Sequence, residues 1–312
     1  MFLANHQNAL LDALLIATHC KRKPYFLTRS DVFKTALLKV FFEFLQMIPV
    51  YRIRDGKNSL AGNTAIFERC AQLLGRGEAV LIFPEGNHSL KRRVRPLSKG
   101  FTRILLLALE SNPSMDIGIV PIGVNYANAA KFPDKAALYY GKEIRVQDFF
   151  DKKDVSGSAS RLKEEVYHHL KKLTTHIEEE SSYEEIVHTL DRAKVDYLDP
   201  AGVNRIIEEG TSPENRKIGK GKVALVKYIL RGAFSILNFP MLIIWSRFIK
   251  PKVSEPEFLS TTSFMYALLF YPFFYLLFIA GMLEFLNWPA TSIICLAHLT
   301  LNIVLVKLSW ED

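Results

Sequence analysis

The stretch MFLANHQNALLD, Met1 to Asp12, passes from an apolar triplet to a helix-like run within a few residues. Phe2, Leu3 and Ala4 suit a short buried strand, and Ala9 to Ala17 carries its apolar residues in a pattern a helix can use. His6 lies between them, on a strand-to-helix turn, where a rigid scaffold holds chemical groups at an exposed edge. Asp12 follows six positions later. An imidazole oriented by a carboxylate is the simplest protein device for taking a proton from an alcohol near neutral pH. Six positions along an ideal helix rotate by about 600°. His6 and Asp12 therefore meet only if His6 stands outside the helix or the first turn is irregular. The plainer reading of His6 is a helix cap or a satisfied core histidine.

The alternation of strand and helix continues downstream. Pro24 to Thr28 reads as a strand, Ser30-Asp31 as the cap of a helix to Met47, and Ile48 onward as a short strand ending in Arg52, Arg54 and a turn at Gly56. A helix from Asn58 or Ser59 to Leu74 stops at Gly75-Arg76-Gly77, and Ala79 to Phe83 is an apolar run of buried-strand type that delivers Glu85 and Gly86 after Pro84. Leu97 to Ser111 has a helical pattern and Ile117 to Val124 that of a central strand. Such alternation predicts an α/β fold, a mainly parallel sheet with flanking helices, whose chemistry gathers at strand ends.

Four segments, NHQNALLD (5–12), IPVYRIRD (48–55), FPEGNHS (83–89) and IVPIGVNY (119–126), resemble in that order the four motifs of the glycerolipid acyltransferases. Those enzymes acylate glycerol-3-phosphate and lysophosphatidate. The resemblance implies His6 as general base with Asp12 fixing its tautomer, Arg52 and Arg54 on the acceptor phosphate, and Glu85 and Gly86 shaping the acceptor site, with Asn87 and Lys99 as lesser candidates. It implies an acyl thioester, acyl-CoA or acyl-carrier protein, as co-substrate, and no cofactor or metal. The acceptor would be glycerol-3-phosphate or its 1-acyl derivative. Other readings of the same residues stay open: Arg52 and Arg54 share one face of a strand and could point to solvent, Glu85 could cap a helix, His88 is a rival base, and Pro121 could be a strand-end proline. The chain also departs from the family pattern. Five residues separate His6 from Asp12 where most members have four, and Asn87-His88-Ser89 stands where Thr-Arg-Ser is usual. The missing guanidinium could come from Arg92, Arg93 or Arg95. A lipid-remodelling or thioester hydrolase using the same pair on water, and an inactive membrane scaffold, are the alternative functions.

Composition divides the 312 residues unevenly. Residues 1–150 are expected to form the catalytic domain, 151–215 a charged helical linker, and 216–312 a membrane region. Thr262 to Leu283 runs 22 residues without a charge and Trp288 to Val306 another 19, each near the length a bilayer demands. Gly232 to Ser246, 15 residues interrupted by Pro240, spans only about 22 Å and is expected to be re-entrant or interfacial. The net charge of +8 is concentrated in patches such as Lys91 to Arg95, which suit anionic lipid headgroups; no aromatic-interleaved platform points to nucleic acid. Cys20, Cys70 and Cys295 are scattered and odd in number, which indicates neither a disulfide framework nor a metal site. His168, His169, His176 and His188 read as solvent-facing. The start reads as motif rather than as a leader. The expected setting is an integral membrane protein of a bacterial inner membrane, with its catalytic domain cytoplasmic because Lys and Arg flank the tail on that side.

Overall fold

The computed structural model describes all residues except 31, 32, 34, 35, 52–56, 211–221, 311 and 312. It forms two compact units, Met1–Ala127 with Ala136–Ser212, and Asn128–Lys135 with Pro213–Asp312.

The first unit is built on a seven-stranded sheet. In chain order the strands are β1 (Phe2–Ala4), β2 (Tyr25–Arg29), β3 (Met47–Val50), β4 (Val80–Ile82), β5 (Gly118–Tyr126), β6 (Ala136–Tyr140) and β7 (Ile144–Arg145). Their spatial order is β3-β2-β4-β1-β5-β6, with β7 also paired to β5. The first five are mutually parallel, as expected from the helices α1 (Ala9–His19), α2 (Ala36–Phe44), α3 (Lys57–Gly75) and α4 (Gly100–Ser111) that connect them. The antiparallel β6 and β7 were not foreseen. Residues 127–135 hold no helix and are too few for a crossover, so the chain can only return beside β5 in the opposite sense.

Leu3 of β1, Val80 and Ile82 of β4 and Ile119 of β5 pack with Phe101, Ile104, Leu105, Ala108 and Leu109 of α4 in one core. Val80 and Leu81 are wholly buried, which is why this segment reads as an unbroken apolar run. Leu162, Val166 and Leu170 of α5 (Val155–Leu173) belong to the same core, and residues 151–212 lie within the first unit, where a separate linker had been expected. Two shorter helices, α6 (Tyr183–Ala193) and α7 (Pro200–Glu209), complete the unit around Ile177 and Leu190.

Two boundaries differ from expectation for a common reason. Helix α4 starts at Gly100 rather than Leu97, because the Ser98 amide donates to the Pro84 carbonyl (2.7 Å) and not into a helix. The segment expected to be helical throughout 151–215 leaves helix at Leu173, because the Ile177 amide donates to the Arg92 carbonyl (3.0 Å). In both places a tertiary hydrogen bond overrides local propensity. The helix expected to run from Ser30 to Met47 is described only over α2.

The second unit holds α8 (Lys222–Leu237), α9 (Phe239–Ile244), α10 (Leu259–Leu283) and α11 (Trp288–Trp310). Pro256–Leu283 and Trp288–Trp310 are long and apolar enough to cross a membrane. The pair Leu225–Leu237 and Phe239–Lys252 is bent by 88°.

Candidate active site

Strands β4, β1 and β5 are adjacent and parallel, so their C-terminal ends share one edge of the sheet. That edge receives His6 just after β1, Phe83 to Glu85 just after β4, and Tyr126 at the end of β5. This is where an open α/β sheet places ligands.

His6 stands outside α1, whose N-cap, Asn8, is in extended conformation. Asp12 lies in the first turn of that helix and folds its side chain back over the N-terminus. Its Oδ2 accepts from the Gln7 and Asn8 amides (2.8 Å each) and pairs with His6 Nδ1 at 2.7 Å. This geometry closes the six-residue separation that an ideal helix would not. Asp12 Oδ1 accepts from the Tyr126 hydroxyl at 2.7 Å. The carboxylate is fully buried, and its four hydrogen bonds account for both oxygens. Because an ionised carboxylate only accepts, Nδ1 carries the imidazole proton and Nε2 is the basic nitrogen. Among the described residues nothing hydrogen-bonds to Nε2.

The ring is fixed from both sides. Phe83 stacks on it with centroids 4.1 Å apart, and His88 meets it edge-on at 5.6 Å. The His6 amide donates to Glu85 Oε1 (3.4 Å), and the Ser89 amide donates to the His6 carbonyl (3.0 Å), so the FPEG turn grips the His6 loop through its backbone. Gly86 adopts φ +79°, a left-handed conformation that a side chain would strain.

Glu85 Oε2 accepts from Arg95 Nε at 2.7 Å, and the same guanidinium bonds the Asn87 side chain and carbonyl. Of the three arginines that spacing left open, Arg95 is the one brought to the third motif. Arg92 instead donates to the Tyr126 and Ala127 carbonyls (3.0 and 2.8 Å), and Arg93 pairs with Glu180 (3.1 Å). The patch at Lys91 to Arg95 is thus largely spent inside the unit. Burial raises the Glu85 carboxyl above its ordinary pKa, and Arg95 opposes that rise. No helix starts at Glu85, which removes its reading as a cap.

Lys99 is exposed and precedes α4, its carbonyl accepting from Thr102 Oγ1 (2.9 Å) and the Arg103 amide (3.2 Å). Arg52 and Arg54 lie outside the described residues. The chain leading to them is held at Tyr51, whose amide and carbonyl both bond the Asn63 side chain (2.9 and 2.7 Å). Tyr126 and Phe83 were not singled out as site residues from sequence, although each stands inside a quoted motif. Among the described residues no three His, Cys, Asp or Glu side chains gather as a metal would need.

The loop after the FPEG turn is clamped by His176, which is buried rather than solvent-facing. Its Nδ1 accepts from the Val94 amide (3.0 Å) while Nε2 meets Glu178 (3.0 Å). Burial lowers its pKa, with Glu178 opposing and Lys171 and Arg93 adding to the fall. A base with a lowered folded pKa contributes stability that is complete above its unfolded value of about 6.5 and is lost as pH falls below it. The melting temperature is therefore expected to fall more steeply on acidification from pH 7.5 to 5.5 than in His176→Asn, whose side-chain oxygen can replace Nδ1. Parallel curves would show that His176 is not the responsible group.

Residues 1–125 match the model of the family described as Acyltransferase. The chain is 28% identical over 83 residues to glycerol-3-phosphate O-acyltransferase 1 of Saccharomyces cerevisiae, and 33% identical over 84 residues to glycerol-3-phosphate O-acyltransferase 2 of that yeast. Each match covers 27% of this chain and 11% of the relative, so the chain spans only about a tenth of the length of the curated relatives it matches. A crystal structure of the 1-acyl-sn-glycerophosphate (LPA) acyltransferase PlsC from Thermotoga maritima aligns at 16% identity and a TM-score of 0.38, over 55% of this chain and 65% of that one. Residues 1–125, which include the segments that build the His6 edge, are thus similar to the acyltransferase family, and 83 to 84 residues of the chain to glycerol-3-phosphate O-acyltransferases.

Proposed function

We propose that this chain transfers a fatty acyl group from a thioester, acyl-CoA or acyl-carrier protein, to a hydroxyl of glycerol-3-phosphate or its 1-acyl derivative. The observation that carries the reading is the 2.7 Å bond between His6 Nδ1 and a fully buried Asp12 at the shared strand edge. His6 Nε2 takes the proton of the acceptor hydroxyl as its oxygen attacks the thioester carbonyl. Asp12 holds the tautomer and stabilises the imidazolium that forms. The tetrahedral intermediate collapses with cleavage of the C–S bond, and the imidazolium returns the proton to the departing thiolate. Transfer is direct. Cys70 is unsuited as an acyl carrier, since it is buried and its thiol is pushed up to about 12 by that burial. Glu85 and Gly86 shape the acceptor pocket, Arg95 and Asn87 brace them, Arg52 and Arg54 take the phosphate, and Lys99 is a more distant contact. The apolar tail anchors the enzyme in a membrane, with the catalytic unit on the cytoplasmic side.

Assaying the full chain with both acceptors and both donors tests this. Ester formation that depends on the acceptor is expected; release of free fatty acid at the same rate without acceptor would replace transfer by hydrolysis. Tyr126 acts here as a positioning residue. A hydrogen bond to a charged group contributes about 1.5–3 kcal/mol, so Tyr126→Phe is expected to lower kcat roughly 10- to 100-fold with KM little changed. A raised KM with normal kcat would place Tyr126 on the substrate instead.

A further inference from the structure

The bend between α8 and α9 falls at Asn238, which is fully buried among otherwise apolar helices. A helix pair bent by 88° could be a span broken midway or a hairpin returning to the side it came from. The contacts of its two arms decide between these.

Along the first arm, Arg231 donates to the Ser309 carbonyl (2.9 Å), Asn238 bonds Asn302 (2.7 Å), and the Leu237 carbonyl accepts from His298 Nε2 (3.3 Å). Moving from 231 to 238 therefore moves away from the Trp310 end of α11, so α8 and α11 are antiparallel. Along the second arm, Asn238 Oδ1 accepts from the Tyr271 hydroxyl (3.1 Å), the Met241 carbonyl accepts from the Tyr266 hydroxyl (2.8 Å), and Trp245 packs on the Tyr266 ring at 5.5 Å. Moving from 238 to 245 thus moves toward the Leu259 end of α10. Helices α10 and α11 are themselves antiparallel, joined by the short connection 284–287, with Tyr275 opposite His298 (2.9 Å). The Leu259 end of α10 and the Trp310 end of α11 lie on one side. The first arm starts on that side and the second finishes there.

The depth of the bend follows from the same partners. Tyr271 is about 18 Å from either end of α10, and Asn302 about 12 Å from the Trp310 end of α11, at roughly 1.5 Å per residue. Asn238 thus reaches near mid-depth and no farther. Its polar groups are all used: Nδ2 donates to the Phe234 carbonyl and Asn302 Oδ1, and Oδ1 accepts from Tyr271 and Asn302. His298 closes the network, its Nε2 meeting the Leu237 carbonyl and its Nδ1 meeting the Tyr275 hydroxyl and the Asn302 side chain. Backbone that leaves helical geometry within a bilayer is tolerated only when its polar groups are satisfied by protein, which this network achieves.

We infer that residues 225–252 form a re-entrant hairpin that enters and leaves one leaflet of a lipid bilayer, locked at Asn238 by the network through Asn302, His298, Tyr271 and Tyr275. The faces away from the bundle fit the acyl chains of that leaflet: Leu225, Tyr228, Ile236, Phe239 and Ile243 are all exposed. Charge agrees with the geometry. Arg247, Lys250 and Lys252 close the second arm, Lys227 and Arg231 stand on the first, and Lys307 lies at the same end of α11, whereas the connection at the far end carries only Glu284.

The test uses the full chain with Cys20 and Cys295 replaced by Ser and the buried Cys70 kept. Single cysteines are placed at Glu208, Ser254 and Asn287 and exposed to an impermeant maleimide in intact spheroplasts and in lysed membranes of a bacterial host. Glu208→Cys and Ser254→Cys should label under one condition together and Asn287→Cys from the opposite side. Labelling of the first two from opposite sides, or of all three from one, overturns the hairpin. The lock has its own readout. Asn302→Leu is expected to raise amide exchange over residues 236–242 about tenfold, the equivalent of roughly one lost buried hydrogen bond, while α10 is unchanged. Unaltered exchange at the bend would show that the network does not hold it.

Discussion

Replacing His6 by alanine is expected to abolish transfer, with a loss of roughly 10²- to 10⁴-fold, the range a positioned base supplies. The variant should remain folded, since His6 is held by its backbone bonds to Glu85 and Ser89, which alanine keeps, and what is lost is the stacking on Phe83 and the bond to Asp12. The pH profile sharpens the test. A residual rate that no longer follows the ionisation of one group on the acid limb marks His6 as the base, whereas near-normal turnover would end this mechanism. His88→Ala serves as the contrast: its ring touches His6 but Asp12 is bonded to His6, so the effect should be modest. A severe His88→Ala with a mild His6→Ala would mean that the roles are reversed.

Asp12→Asn is expected to cost on the order of 10³- to 10⁴-fold in kcat, as loss of the orienting carboxylate does in hydrolytic triads. The reason is specific to this site. Asp12 accepts four hydrogen bonds from the Gln7 and Asn8 amides, Tyr126 and His6, and an amide side chain must turn its NH2 toward at least one of those donors. Turned toward His6, the NH2 forces the imidazole proton from Nδ1 onto Nε2, where it blocks proton abstraction. Turned toward Tyr126, whose hydroxyl can accept from it, it leaves His6 Nδ1 facing a neutral carbonyl that no longer stabilises the imidazolium. The measurement is kcat together with the melting temperature. A variant that melts normally and turns over normally would show that the carboxylate is ornamental to the chemistry.

Much of the fold was legible because its strands are short apolar runs punctuated by Pro, Gly and charge, and because parallel strands need helices between them. The elements that escaped are those set by distant partners. β6 is an edge strand of sequence AALYY whose exposed tyrosines carry no alternation, and the end of α5 is decided by a bond to Arg92, far back along the chain. The site divides in the same way. His6 and Asp12 could be named from residue type and position and Glu85 from the resemblance, but Tyr126 reaches Asp12 across 114 positions, and no local pattern announces a hydroxyl pointed at a buried carboxylate. Arg95 was one of three candidates until its bonds to Glu85 and Asn87 separated it from Arg92 and Arg93.

The place of β1 in the sheet bears on how the protein is made. Translation delivers β1 before β2 to β7, yet its two neighbours are β4 and β5, with Leu3 beside Ile82 and Pro121. On the ribosome Leu3 and Ala4 wait with both edges unpaired until β4 has been made, and with one edge unpaired until the chain has grown past Tyr126, and each of these pairings closes a long loop. The His6 edge is consequently completed only once β5 is made, and a nascent chain paused before β5 leaves one edge of an apolar strand exposed to aggregation or to a chaperone.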